Sequence, residues 1–178
     1  MILSSVTAAP VRAGYRVAVV DHFFPGEQAF ADEAALQSAL LSFDAVDIDG
    51  ERVAQIGTGL LVLIGVEPDD GPRQRDRLLE RLISYRVFPD EAGRMKLSVR
   101  DIGGSVLLVP QFTLAADTKK GTRASFTRGA EPDRASAYFD DLVMALSRSL
   151  DTVATGRFGA DMQVELVNDG PVTFWLET

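Results

Sequence analysis

The chain has 178 residues, 46% of them hydrophobic and 25% charged, the make-up of one ordinary globular domain; a disordered or fibrous chain is excluded. Cysteine is absent and His22 is the only histidine, which excludes a disulfide framework, a thiolate nucleophile, a cysteine-ligated zinc and a multi-histidine metal site. The net charge of −8 is unevenly placed: Arg94 to Arg128 holds seven basic residues, including all three lysines, against two acidic ones, leaving −13 on the rest of the chain. An acidic body with one basic surface suits selective contact with a phosphate-bearing ligand better than DNA coating. A solvated basic loop is the plainer alternative.

In chain order, MILSSVTAAPVRA has no basic residue before its apolar stretch, which argues against a secretory signal. Tyr15–Phe24 is dense in valine and ends at Pro25-Gly26, so it reads as a strand. Ala29–Leu41 reads as a short helix from the spacing of Phe30, Ala34, Leu36 and Leu40. Ala45–Ile56 is a hairpin about Asp49-Gly50, since a two-residue turn of this kind needs positive φ at both positions. Gly57-Thr58-Gly59 then turns into the longest apolar run, Leu60–Val66. Its seven residues make a buried strand and fall far short of the roughly 18 that span a bilayer.

A helix is expected over Arg73–Phe88, with Leu78, Leu79, Leu82, Ile83 and Tyr85 as its apolar stripe. A turn follows at Pro89–Gly93, a buried strand at Ser105–Val109 and a polar loop at Ala115–Gly129. Glu131-Pro132-Asp133 opens a second helix reaching about Leu150, with stripe Ala135, Tyr138, Phe139, Leu142, Val143 and Leu146. Strands Met162–Val167 and Val172–Leu176 flank Asn168-Asp169-Gly170-Pro171. Strand and helix do not alternate, so a doubly wound sheet is not expected. The pattern predicts an α+β fold: a curled antiparallel or mixed sheet, or a β-barrel, covered by two longer helices. Residues 1–178 are expected to form a single domain.

Three places bear on chemistry. His22 lies inside an apolar run, where a lone histidine is more often structural than part of a serine–histidine triad. Gly57-Thr58-Gly59 lacks the third glycine and the following helix of a nucleotide fingerprint. Pro110-Gln111-Phe112-Thr113-Leu114 sits at a strand end and leads into the basic loop. It offers an amide, a stacking face and a hydroxyl for a nucleotide or a polar carbonyl; the alternative is a strand running on past a proline bulge. Asn168-Asp169-Gly170-Pro171 is a β-turn, or a Gly-Pro whose carbonyls line a pocket.

These stretches resemble the D-aminoacyl-tRNA deacylase family from about Asp44 to Thr178. The likeness is carried by GLLVLIGV after Gly57-Thr58-Gly59, by Met95-Lys96-Leu97-Ser98-Val99, by QFTLAADTKKGTRASF and by TGRFGADMQVELVNDGPVT, in that order. The resemblance implies a cytoplasmic homodimer that acts on the aminoacyl-tRNA 3′ end, with no cofactor, no metal, no membrane and no DNA. The implied reaction is hydrolysis of the ester joining a D-amino acid to the terminal adenosine, assisted by the ribose 2′-hydroxyl and backbone oxyanion donors.

Matched to the family, Gln111, Phe112 and Thr113 are implied active-site residues, Gly170 and Pro171 the chiral filter, and Phe158 and Met162 the adenosine-binding pair. Lys119, Lys120 and Arg123 of the basic loop are the expected phosphate contacts. Proline stands at position 110 where the family motif has serine, as in a related group that removes L-alanine from tRNA. Relative to the family, Asp21-His22-Phe23 replaces a Gln-Arg-Val triplet, and about 25–43 is an extra N-terminal segment of the deacylase-like domain. The alternatives are therefore a deacylase acting on L-alanyl- or glycyl-tRNA, and a non-catalytic relative that binds tRNA ends.

Overall fold

A computed structural model describes residues 43–168 and 172–178, together with the backbone of 16–22. Five strands form one sheet in the order β10 (Thr173–Glu177), β1 (Arg16–His22), β4 (Gly59–Gly65), β7 (Ser105–Pro110) and β8 (Val153–Thr155). Pairing is antiparallel from β10 through β1 to β4, then parallel from β4 through β7 to β8. A second, antiparallel sheet runs β3 (Glu51–Ile56), β2 (Asp44–Ile48), β9 (Met162–Glu165). A small hairpin joins β5 (Phe88–Pro89) to β6 (Met95–Leu97). Two helices, α1 (Pro72–Ser84) and α2 (Pro132–Ser147), complete the described residues. The sheet is mixed, as expected. The barrel alternative is corrected: among the described residues the strands form separate sheets and no closed barrel.

The central strands read as unbroken apolar runs because both faces are covered. Leu60, Val62 and Ile64 of β4, with Val106 and Leu108 of β7, pack against Leu78, Leu82, Phe139, Leu142 and Leu146 of the helices. The alternate residues Leu61, Leu107 and Val109 pack against Val46, Ile48, Ala54 and Ile56 of the small sheet. The two-residue period of a strand thus serves two cores at once, and each fully buried leucine contributes roughly 1.5–3 kcal/mol.

Local signals explain most boundaries. Asp49 and Gly50 have φ of 53° and 79°, the mirror-image turn expected between β2 and β3. Proline occupies the first turn of both helices, where its missing N–H costs nothing. The first helix stops at Ser84, short of the expected Phe88: Tyr85 is already extended, and Pro89 disfavours helical backbone at Phe88, which pairs with Leu97 instead. The second helix stops at Ser147, short of Leu150. The Asp49-Gly50 hairpin and the strand expected at Tyr15–Phe24 are present over their described residues. The helix expected at Ala29–Leu41 lies outside the described residues. No helix among those described is long and apolar enough to cross a membrane.

Candidate active site at the end of β7

Strand β7 keeps its pairing to β4 until Gln111, whose amide donates to the Ile64 carbonyl at 2.7 Å. On its other side the β8 ladder runs from the Val106 amide on Thr152 to the Gly156 amide on Leu108, at 3.1 and 2.8 Å. The next rung of that parallel series would need an amide at position 110, and proline has none. β7 and the chain after β8 therefore part at Pro110. The chain does not run on as a strand but turns into a 3-10 helix, Phe112–Ala115.

The parting leaves a cleft of about 640 Å³, within the range of small-molecule sites. Pro110, Gln111 and Phe112 form one wall; Phe158 to Met162 form another; Phe126 and the start of α2 close it. Met162 turns its sulfur onto Gly156, where a Cβ would come within 2.7 Å of it, and the Arg157 amide donates to the same sulfur at 3.3 Å. The third wall is pinned to the end of β4. Ala130 donates its amide to the Val66 carbonyl at 2.9 Å, and Arg128 pairs with the buried Glu67 at 3.4 Å. Below it Asp70 is fully buried, accepts the Glu67 amide at 2.8 Å, and is pushed up to about 6, chiefly by burial.

The cleft brings the adjacent Gln111 and Phe112 against Phe158 and Met162, a pair more than forty residues further along the chain. Thr113 stands beside them, its hydroxyl accepting from Gln111 Nε2 at 2.6 Å. The amides of Phe112 and Thr113 open the 3-10 turn and have no acceptor among the described residues. Such donors can hold a developing oxyanion. Lys119, Lys120 and Arg123 are exposed and lie outside the cleft, on a finger closed at its base by paired bonds between Asp117 and Ser125 of 2.7 and 2.9 Å. Gly170 and Pro171 lie outside the described residues. Asn168 and Val172, which flank them, are joined by the Val172 amide donating to Asn168 Oδ1 at 3.0 Å.

Sequence reasoning missed Phe126, Glu131 and Asp161, which also line the cleft. Phe126 carried a usable signal, an aromatic residue directly after a basic loop. Among the described residues the lining holds those two carboxylates and no lysine or arginine, and its walls are mainly apolar. Among the described residues no group of three or more histidine, cysteine, aspartate or glutamate side chains is placed to hold a metal.

A family model described as D-Tyr-tRNA(Tyr) deacylase matches residues 41–177. A D-aminoacyl-tRNA deacylase of Alkalilimnicola ehrlichii is 63% identical over 132 residues, covering 74% of this chain and 88% of that protein. One of Thioalkalivibrio sulfidiphilus is 64% identical over 134 residues, covering 75% and 89%. One of Escherichia coli is 56% identical over 133 residues, covering 75% and 92%. Among solved structures, the c-Myc DNA unwinding element binding protein superposes with a TM-score of 0.77 at 28% identity, over 92% of this chain and 98% of that one. A probable eukaryotic D-amino acid tRNA deacylase superposes at 0.68 with 15% identity, over 92% and 99%, a likeness of fold.

Proposed function

The chain belongs to the D-aminoacyl-tRNA deacylase family, and from that premise we propose that it hydrolyses the ester joining a D-amino acid to the 3′-terminal adenosine of tRNA. The observation that carries the reading is the convergence of Gln111, Phe112, Phe158 and Met162 on one cleft edged by two amides that have no acceptor among the described residues. The terminal adenine lies against Phe158 and Met162. Walls with no lysine or arginine among their described residues suit an uncharged base and a ribose whose 3′ oxygen carries an ester in place of a phosphate. The phosphates of the approaching strand meet Lys119, Lys120 and Arg123 on the finger outside.

Water adds to the ester carbonyl carbon, the ribose 2′-hydroxyl helping to activate it. The amides of Phe112 and Thr113 receive the oxyanion, each supplying on the order of 3–4 kcal/mol. The bond to the 3′ oxygen then breaks, and that oxygen takes the proton. Thr113 keeps its hydroxyl on Gln111 and forms no covalent intermediate. The protein works as a cytoplasmic homodimer of single-domain subunits, with residues 25–43 as an N-terminal addition. Gly170 and Pro171 of each subunit supply main-chain carbonyls to the other's cleft, where they reject L-isomers by steric and electrostatic exclusion.

The test is release of tyrosine from tRNA charged with D- or L-tyrosine, chelator present. Turnover of the D-ester with the L-ester spared is expected, and Gly170→Ala should erode that ratio. A well-folded protein that turns over no D-ester contradicts the reading. Pro110 motivates a second reading, a deacylase with relaxed chirality for glycyl- or L-alanyl-tRNA. Equal rates on D- and L-alanyl-tRNA would favour it.

A further inference from the structure

The basic finger and the cleft mouth share a feature that adenosine binding leaves unused. The finger leaves the 3-10 turn at Asp117 and returns at Ser125, so its base carries Phe112 on the outgoing side and Phe126 on the returning side. The two rings touch, centroids 5.2 Å apart and tilted by 53°, yet Phe112 is 62% and Phe126 49% exposed. Core aromatics are not left so open, and the pair stands at the edge of the cleft. At the tip Lys119, Lys120 and Arg123 are exposed, and none of the three forms an ion pair among the described residues. Three extended residues from base to tip cover about 10 Å. Stacking faces followed by free cations along one track are what binds an unpaired nucleic-acid strand.

We infer that Phe126, backed by Phe112, is a stacking platform for a nucleotide preceding the terminal adenosine, with the finger tip on the adjoining phosphates. This rests on the deacylase reading and extends it: the protein grips the single-stranded tail as well as the last nucleoside. The occupant is RNA because the apolar pair is continuous with uncompensated positive charge, whereas the chain as a whole is acidic and a second copy would bring mostly negative charge.

The test compares wild-type protein with Phe126→Ala and Phe126→Trp on two esters of one D-amino acid: D-tyrosyl-tRNA and D-tyrosyl-adenosine. Phe126→Ala should lower kcat/KM for the tRNA about 5- to 100-fold, mainly through KM. Because Phe126 also borders the cleft, some loss on the nucleoside ester is expected, but it should be at least about fivefold smaller than the loss on the tRNA, and Phe126→Trp should restore the tRNA value. An equal loss on both esters would place Phe126 in the adenosine pocket or the fold and overturn the inference; so would no loss on either. A changed sedimentation coefficient for Phe126→Ala would mean that a second copy covers the pair, and would overturn it too. If wild-type protein hydrolyses neither ester, the deacylase reading fails by itself. The inference is then decided by binding of an uncharged RNA hairpin with a single-stranded 3′ tail, which Phe126→Ala must weaken.

Discussion

Gln111 and Thr113, two residues apart, satisfy each other: the amide nitrogen donates to the hydroxyl oxygen at 2.6 Å. The polar side chains at the strand end are thereby engaged together, and what they leave facing the cleft is backbone. A nucleophilic threonine would instead need a general base on its hydroxyl, whereas the group bonded to it here is the Gln111 amide nitrogen, a donor that cannot take its proton.

Thr113→Ala should therefore keep most of the activity, losing less than about tenfold in single-turnover hydrolysis of D-tyrosyl-tRNA. Removal of a true nucleophile costs on the order of 10⁴ or more, and a loss of that size would make Thr113 the attacking group.

The phosphate contact proposed for the finger tip works through charge alone. Lys119→Ala with Lys120→Ala should weaken tRNA binding and flatten the slope of log Kd against log salt by about 1.4, two phosphate contacts at roughly 0.7 each on a single strand. Filter binding from 50 to 200 mM salt checks this. An unchanged slope would remove both lysines from the phosphate contact.

Gly59 faces Ser105 across the first pair of the parallel ladder, and a Cβ there would stand 1.9 Å from the Ser105 carbonyl oxygen. Backbone cannot swing aside as a side chain can. Gly59→Ala should cost about 3 kcal/mol, a fall of about 6–12 °C in Tm for a chain of this size. Gly57→Ala, where nothing lies within 4 Å, should change Tm little. Equal effects from the two would mean that β4 and β7 are further apart than described.

Asp70 sets a pH dependence of stability. Its folded pKa of about 6 lies above the ordinary aspartate value of 3.8, first because it is buried, and Oδ1 has no partner among the described residues. The folded state binds more protons than the unfolded one between those values. The group's contribution is present in full below pH 3.8 and is lost as pH rises through 6, up to about 3 kcal/mol. Asp70→Asn keeps an acceptor for the Glu67 amide and removes the titration. Urea midpoints at pH 5 and pH 8 should lie closer together in the variant; an unchanged gap would contradict the assignment.

What was legible in the sequence is what local chemistry decides. Asp49-Gly50 announced its turn because few other pairs adopt two positive φ values. The run from Gly59 to Gly65 announced a doubly covered strand, and Pro132 announced the start of a helix. The tail of the first helix was misread because Tyr85, Val87 and Phe88 continue an apolar spacing that only Pro89 contradicts. Strand β8 was missed: three residues beside Gly156 carry too little pattern. The cleft itself depends on parallel pairing of β4, β7 and β8, a relation between segments more than forty residues apart, to which no single stretch points. Hence Gln111 stood out as polar at a strand end, while Glu131 and Asp161 looked like ordinary surface acids.

In the proposed reaction the ester is cleaved by main-chain donors and the substrate's own ribose, without a reactive side chain. The most direct measurement is single-turnover hydrolysis of D-tyrosyl-tRNA ending in 2′-deoxyadenosine, set beside the natural ribose. A rate about 10² to 10⁴ lower is expected for the deoxy substrate, the usual worth of a positioned proton-transfer group, with binding nearly unchanged. Equal rates on both substrates would contradict it and return the chemistry to a side chain.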